Sequence, residues 1–237
     1  MIEIIDLHKK FGKNQVLKGI DLKIDRKGVF AILGPNGSGK TTLIKSILGM
    51  VLPTSGEINV NGSSIQKNWK YRKSIDYLPQ IANFPANLKV KELLKMIKDL
   101  RKCPDYDETP YIKRLGLTPH LDKKLSNLSG GTKQKVNLTL TFLFDSPFII
   151  LDEPTTGLDP AALIILKEMI QEEKEKGKII LVTSHIMNFV EEISDEIVFL
   201  LEGKVYFRGS GEELKEETNQ PSLEMAIANL LKETEYA

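Results

Sequence analysis

The chain has 237 residues, 41% apolar and 27% charged, enough for one sizeable core. A net charge of +1 gives no overall basic field to recruit DNA or RNA. Cys103 is the only cysteine, which excludes an intrachain disulfide and a structural cysteine-based zinc site. The start "MIEIIDLHKK" is too polar for a signal peptide, and runs such as "IILVT" are far too short to span a bilayer. The expectation is a cytoplasmic-type protein that reaches a membrane only through a partner.

Residues 2 to 33 hold three strand-like runs, "IEIIDLHKKF", "LKGIDLKI" and "GVFAIL". The third is continuously apolar, as a central strand buried on both faces requires. It runs into "GPNGSGKTT", after which "TTLIKSILGMV" reads as a helix closing at Gly49. "TSGEINVNG" has the turn and alternation of a small antiparallel strand. From about 86 to 145 the periodicity is helical, clearest where Val90, Leu93, Leu94 and Ile97 share one face. Strand and helix then alternate. "FIILDE" is a strand, "PAALIILKEMIQEEKEKG" a helix ending at Gly177, "KIILVTSH" a strand and "MNFVEEIS" a short helix. "DEIVFLLEGKVYFRG" reads as a hairpin turning at Glu202-Gly203-Lys204. This order predicts a mainly parallel α/β sheet with a helical insertion. In the tail, Leu223, Ala226, Ile227, Leu230 and Leu231 fall on one face. That helix is expected to dock on its own domain, with a partner-binding helix as the alternative.

"GPNGSGKTT" fits a phosphate-binding loop. Gly34, Gly37 and Gly39 let the backbone wrap a phosphate, and the following helix adds its positive end. Lys40 supplies a mobile cation to the β- and γ-phosphates, and the Thr41 hydroxyl is placed to ligate Mg²⁺. In "FIILDE", Asp152 would hold the magnesium through water. Glu153 follows directly, so its side chain points elsewhere, toward the γ-phosphate, where a carboxylate can orient or deprotonate a water. "LSGGTKQK", residues 128 to 135, is a second Ser-Gly-Gly helix start that could present bare N–H groups to a phosphate.

With these motifs in this order the sequence resembles the nucleotide-binding subunit of an ATP-binding-cassette (ABC) transporter. The resemblance covers roughly residues 2 to 210 and includes Gln80 in "YLPQ", "LSGG" at 128 to 131, "TTGLD" at 155 to 159, and His185 in "TSH". It implies a P-loop NTPase fold of class α/β, with a mainly parallel sheet, an N-terminal antiparallel β subdomain and an inserted helical subdomain. The implied layout is a single domain over 1–237. Residues 1–85 and 146–210 form the core, 86–145 the helical signature lobe and 211–237 a C-terminal helical tail.

The resemblance also implies ATP and Mg²⁺ as ligands and a head-to-tail dimer in which each ATP lies between two chains. Gly34, Pro35, Asn36, Gly37, Ser38, Gly39, Lys40, Thr41 and Thr42 would hold one nucleotide. Ser129, Gly130 and Gly131 would cap the γ-phosphate of the partner's. Gln80 would touch Mg²⁺ and the attacking water, and His185 would hydrogen-bond the γ-phosphate. Asp159 would cross the dimer interface, although "GLDP" alone could be only a helix start. Phe11 falls where the family stacks a ring on adenine, usually a tyrosine. The signature departs from the family at Thr132, where glutamine is usual; Gln134 comes two positions later.

The implied partner is a separate multi-span membrane subunit, docking near Phe84, Pro85 and Leu88, with the chain peripheral on the cytoplasmic face of the membrane. "TTGLDP" and the compact layout are most similar to the exporter branch. "LSGGTKQK" and the short tail resemble the ATPase of a copper-processing transporter, although the three histidines and one cysteine show no ligand spacing. The alternatives are a soluble ABC ATPase acting on nucleic acid or ribosomes, and a regulator that binds ATP without turnover. Balanced charge and the absence of a heptad arm disfavour the first, so no nucleic-acid partner is expected. Intact Glu153 and His185 disfavour the second.

Overall fold

The computed structural model describes residues 1–66 and 68–235. Lys67, and the end of the expected tail at Tyr236 and Ala237, lie outside the described residues. The chain opens with β1 (Ile2–Phe11) and β2 (Asn14–Ile24), then β3 (Gly28–Leu33) and α1 (Lys40–Ile47). Strands β4 (Ser55–Val60) and β5 (Ser63–Ser64) return to the first hairpin and complete a four-stranded sheet in the order β2-β1-β4-β5, antiparallel throughout. After β6 (Ile75–Leu78) come α2 (Val90–Arg101), α3 (Thr109–Arg114) and α4 (Gly130–Phe142). Then follow β7 (Phe148–Asp152), α5 (Pro160–Glu175), β8 (Ile179–Thr183), α6 (Met187–Ile193), β9 (Glu196–Leu201) and β10 (Lys204–Gly209). Helices α7 (Gly211–Thr218) and α8 (Leu223–Glu235) end the chain.

The second sheet has six strands in the order β10-β9-β3-β8-β7-β6. Its pairings are parallel except between β9 and β10. The α/β class, the antiparallel β subdomain and the inserted helices are thus those that the sequence predicts. All six residues of β3 are buried because β8 and β9 flank it and both faces are covered. Its alternation sorts the layers. Phe30 and Ile32 join a core shared with α1 and the antiparallel sheet. Val29 faces the cluster of α2, α4 and α5, while Ala31 and Leu33 face α6, α7 and α8. In the β9–β10 turn, Glu202 and Gly203 have φ of 47° and 81°. Two positive values in succession match the twist of a two-residue hairpin.

The helical lobe is fastened to the core at β6. Asp76 on that strand is fully buried, and burial raises its pKa. Arg101, the last residue of α2, opposes this with Nη1 at 2.7 Å from Asp76 Oδ1 and its guanidinium 4.5 Å from the Phe144 ring centre. The tail packs on its own domain: Leu223, Ala226, Ile227 and Leu230 are buried in one cluster with Val190, Ile197 and Phe199.

Candidate functional site

Strand β3 feeds directly into residues 34 to 42, and the loop's shape demands glycine at two points. Gly34 has φ 146°, and a Cβ there would stand 2.1 Å from the Leu200 carbonyl oxygen. Gly39 has φ 107°, and its Cβ would meet Leu17 Cδ2 at 2.7 Å. Gly39 is the N-cap of α1, so Lys40, Thr41 and Thr42 form that helix's first turn and its positive end opens on the cleft. Lys40 Nζ donates to the carbonyls of Gly34 at 2.6 Å and Pro35 at 3.0 Å. Burial lowers the Lys40 pKa, and the nearby Glu153 and Asp152 carboxylates pull it back. The Ser38 side chain is buried, and its carbonyl accepts a bond of 3.1 Å from the Gly203 N–H.

The acids arrive on the neighbouring strands. β7 ends at Asp152, opposite Thr183 on β8. Thr183 Oγ1 donates to Asp152 Oδ1 at 2.6 Å and accepts from the Glu153 N–H at 3.0 Å. The same N–H reaches the Thr183 carbonyl at 3.1 Å. Glu153 has φ 51°, a left-handed backbone that a non-glycine residue keeps only under constraint, and these bonds supply one. His185 Nε2 lies 3.0 Å from Glu153 Oε1. Burial raises the Glu153 pKa; His185 opposes the shift and Asp152 adds to it. Tyr77, on β6, is half-buried beside Asp152, and burial together with that carboxylate pushes its phenol up to about 12.

A cleft of ≈ 290 Å³ brings Lys40, Thr41, Gln80, Asp152, Glu153 and His185 to one place. Asn36, Gly37, Gly39 and Thr42 share its wall. Thr41, Gln80 and Asp152 offer the hard oxygen donors that suit Mg²⁺. Among the described residues no three or more His, Cys, Asp or Glu converge on a metal position. Asn14, Val16 and Thr183 also line the cleft and were not anticipated from the sequence. A threonine closing the apolar run "IILVT" was the available signal for Thr183. Phe11 is 51% exposed, so it is not a core residue. It pairs across the first hairpin with Asn14, and Lys9 Nζ stands 4.7 Å from its ring centre.

Ser129, Gly130 and Gly131 do not line that cleft. Ser129 caps α4, accepting from the Thr132 N–H at 3.2 Å and pairing with the Thr132 hydroxyl at 2.8 Å. Threonine at 132 is therefore spent on the cap. Gln134 does not replace the usual glutamine either, since it is buried and donates to the Pro154 carbonyl at 3.1 Å. Gly131 packs so closely on Gly157 that a Cβ would come within 2.5 Å of the Gly157 carbonyl. Within this chain Asp159 is the N-cap of α5, accepting from the Ala162 N–H at 2.8 Å, and its other oxygen pairs with Lys135 at 2.7 Å. Of the three residues expected at a docking surface, Pro85 is exposed. Phe84 and Leu88 are partly buried against the helical-lobe core.

Comparison with known proteins agrees with this geometry. The ABC transporter family profile matches residues 17–156. The lantibiotic transport ATP-binding protein SrtF of Streptococcus pyogenes is 32% identical over 209 residues, covering 86% of this chain and 89% of that protein. The Nod factor export ATP-binding protein I of Rhizobium sp. (strain N33) is 32% identical over 222 residues, 91% of this chain and 73% of that one. A solved ATP-binding subunit of an ABC transporter superposes with a TM-score of 0.91 at 30% identity, covering 98% of this chain and 99% of its own. A phosphate loop, a paired Asp-Glu and a facing histidine in one cleft, on this fold and with these relatives, place the chain in the ABC transporter family, as one of its ATP-hydrolysing cassettes.

Proposed function

We propose that the chain is the energy-coupling subunit of a transporter, pairing head-to-tail around two ATP and docking on a separate membrane subunit. The observation that carries this is the separation of the two phosphate-binding surfaces. The cleft holds Lys40, Gln80, Glu153 and His185, whereas Ser129-Gly130-Gly131 opens elsewhere on the same chain. A second copy brings its signature to the first copy's cleft, which gives both helix starts a phosphate to bind. Thr41, Asp152 and Gln80 would hold Mg²⁺, which would supply charge neutralisation at the phosphates. Lys40 and the loop N–H groups hold the phosphates, Glu153 orients the attacking water or takes its proton, and His185 faces the γ-phosphate. Phe11 stands at the hairpin tip next to the cleft wall, in a position to stack on the base.

No helix among the described residues is long and apolar enough to cross a membrane. The membrane subunit is read as docking near Phe84, Pro85 and Leu88, and a groove of ≈ 1040 Å³ lined by Trp69, Lys70, Arg72, Leu100 and Arg101 offers it a second surface. Trp69 and Leu100 are exposed there, 62% and 72%. Large exposed apolar residues in a groove mark an interaction surface. Export is the favoured direction, supported by resemblance to the Nod factor exporter. The copper-processing likeness rests on the signature and tail alone. Purification of the chain with its native partners tests the reading: a multi-span membrane protein supports it, and RNA or ribosomes in its place would overturn it.

A further inference from the structure

Helix α4 carries two buried amides that the chemistry above leaves unused. Gln134 is 6% exposed and Asn137 is 4% exposed. They are three residues apart, so they share a face of the helix. Gln134 Nε2 donates to the Pro154 carbonyl at 3.1 Å, and Asn137 Nδ2 donates to the Pro79 carbonyl at 3.3 Å. Pro154 directly follows Glu153, and Pro79 directly precedes Gln80. One face of one helix thus grips the backbone beside both residues that handle the attacking water.

The grip has mechanical content. Proline fixes its own φ, so holding its carbonyl sets the remaining soft dihedral and the next peptide plane. The Pro79 carbonyl belongs to the plane that starts Gln80. The Pro154 carbonyl lies just past Glu153, whose left-handed backbone needs restraint on both sides. Thr183 restrains it from the amide side; Gln134 restrains it from the other. The helix making these contacts begins with Ser129-Gly130-Gly131.

We propose that Gln134 and Asn137 are positioning residues for ATP hydrolysis, acting through Pro154 and Pro79 to hold Glu153 and Gln80 in the cleft and so tying the signature helix to its own chain's site. The proposal rests on the reading of Glu153 and Gln80 as the residues that handle water. It does not require either amide to touch nucleotide.

The test uses the full chain with Gln134→Met and Asn137→Leu, which keep side-chain size and remove the donor. Phosphate release gives kcat, and direct titration with ATP gives affinity. A misplaced water-handling group lowers kcat roughly ten- to a hundred-fold, with the ATP dissociation constant within about two-fold of wild type. Thr139→Val is the control. Thr139 is buried on the same helix, and its hydroxyl bonds only the helix's own Lys135 carbonyl among the described contacts, at 3.0 Å. It should keep wild-type kcat. Wild-type kcat in folded Gln134→Met and Asn137→Leu overturns the proposal, as does an equal loss in Thr139→Val. Should an apolar variant not fold, Gln134→Glu and Asn137→Asp take its place. A carboxylate cannot donate to a carbonyl, but its protonated form can, and burial favours that form. Their kcat relative to wild type should therefore rise as pH falls, and a flat ratio overturns the idea. Glu153→Gln separates the two levels. If it still turns over, the underlying reading of Glu153 fails; if it is dead while the α4 variants are normal, only the positioning role fails.

Discussion

His185 Nε2 stands 3.0 Å from Glu153 Oε1, bridging the segments that leave β8 and β7. The contact places the expected γ-phosphate ligand on the expected water-handling carboxylate. It also bears on the protonation of that carboxylate: burial raises the Glu153 pKa, and His185 counteracts part of the rise.

Turnover should fail on acidification earlier than an ordinary glutamate would dictate. Glu153 must be ionised to accept a proton, and its pKa is raised above the usual 4.5. The acid limb of kcat should thus fall through a value above 4.5. Removing His185 removes an interaction that lowers the pKa, so the residual activity of His185→Ala should lose its acid limb at still higher pH. The check is a pH–rate profile of wild type and variant. A limb that stays put would show that Glu153 does not control it. Glu153→Gln should abolish turnover and leave ATP affinity nearly intact, and retention of half the wild-type rate would contradict the assignment.

Lys40→Ala should fail at binding. The lysine is held by two carbonyls of its own loop, 2.6 and 3.0 Å away, and a triphosphate exchanges those bonds for charge-assisted ones. Each such bond is worth roughly 1.5–3 kcal/mol. Isothermal titration with ATP should show the loss, and equal affinity in mutant and wild type would sink the role.

The sequence revealed what is local. Continuous apolar runs gave β3, β7 and β8, and the glycine spacing gave the phosphate loop. What it hid depends on partners distant along the chain. In β6 a charge, Asp76, stands inside "SIDYL", and Arg101, 25 positions on, together with the Ser146 N–H makes its burial tolerable. Thr183 looked like the end of a strand until its register put it against Asp152. Gln134 read as a displaced signature residue until the fold turned it toward Pro154.

That distant pair gives a stability prediction. Arg101→Ala leaves the Asp76 carboxylate buried without its cation, a loss on the order of 3–5 kcal/mol. Pairing Arg101→Met with Asp76→Asn removes both charges and should recover much of it. Denaturant midpoints of the single and double variants measure the coupling. Additive losses would mean that the pair does not fasten the helical lobe.

Docking can be separated from folding at the groove. Trp69 is 62% exposed, so Trp69→Asp with Lys70→Glu should leave the isolated chain folded and its basal ATPase intact while breaking assembly with the membrane subunit. Phe84→Asp is a poorer choice, because Phe84 packs on the lobe core and its loss should also lower the thermal midpoint. Normal assembly of the Trp69/Lys70 variant would move the docking site elsewhere.

The shared-site arrangement predicts rescue between two dead proteins. Lys40→Ala disables the phosphate-loop half. The signature half is best blocked at Gly130, where an added Cβ meets nothing within 4 Å, so Gly130→Asp should fold. Ser129 is less suitable because it caps α4, and losing the cap costs about 1 kcal/mol. Gly131 is excluded by the Gly157 carbonyl. In a mixed head-to-tail dimer one site receives both defects. The other joins the intact phosphate loop of the Gly130→Asp chain to the intact signature of the Lys40→Ala chain. Mixing should therefore restore phosphate release to a fraction of wild type, because only some dimers are mixed and each has one good site. If each chain used its own signature, both sites would stay dead at every ratio. The assay is run at concentrations that populate dimers, with a label on each chain to count the mixed ones. Labelled mixed dimers that form with ATP and release no phosphate would mean either obligatory coupling of the two sites or a signature that serves its own chain. A double variant carrying both substitutions in one chain, mixed with wild type, separates these. Its mixed dimer spoils both sites if they are shared between chains, and leaves the wild-type chain's site whole if they are not.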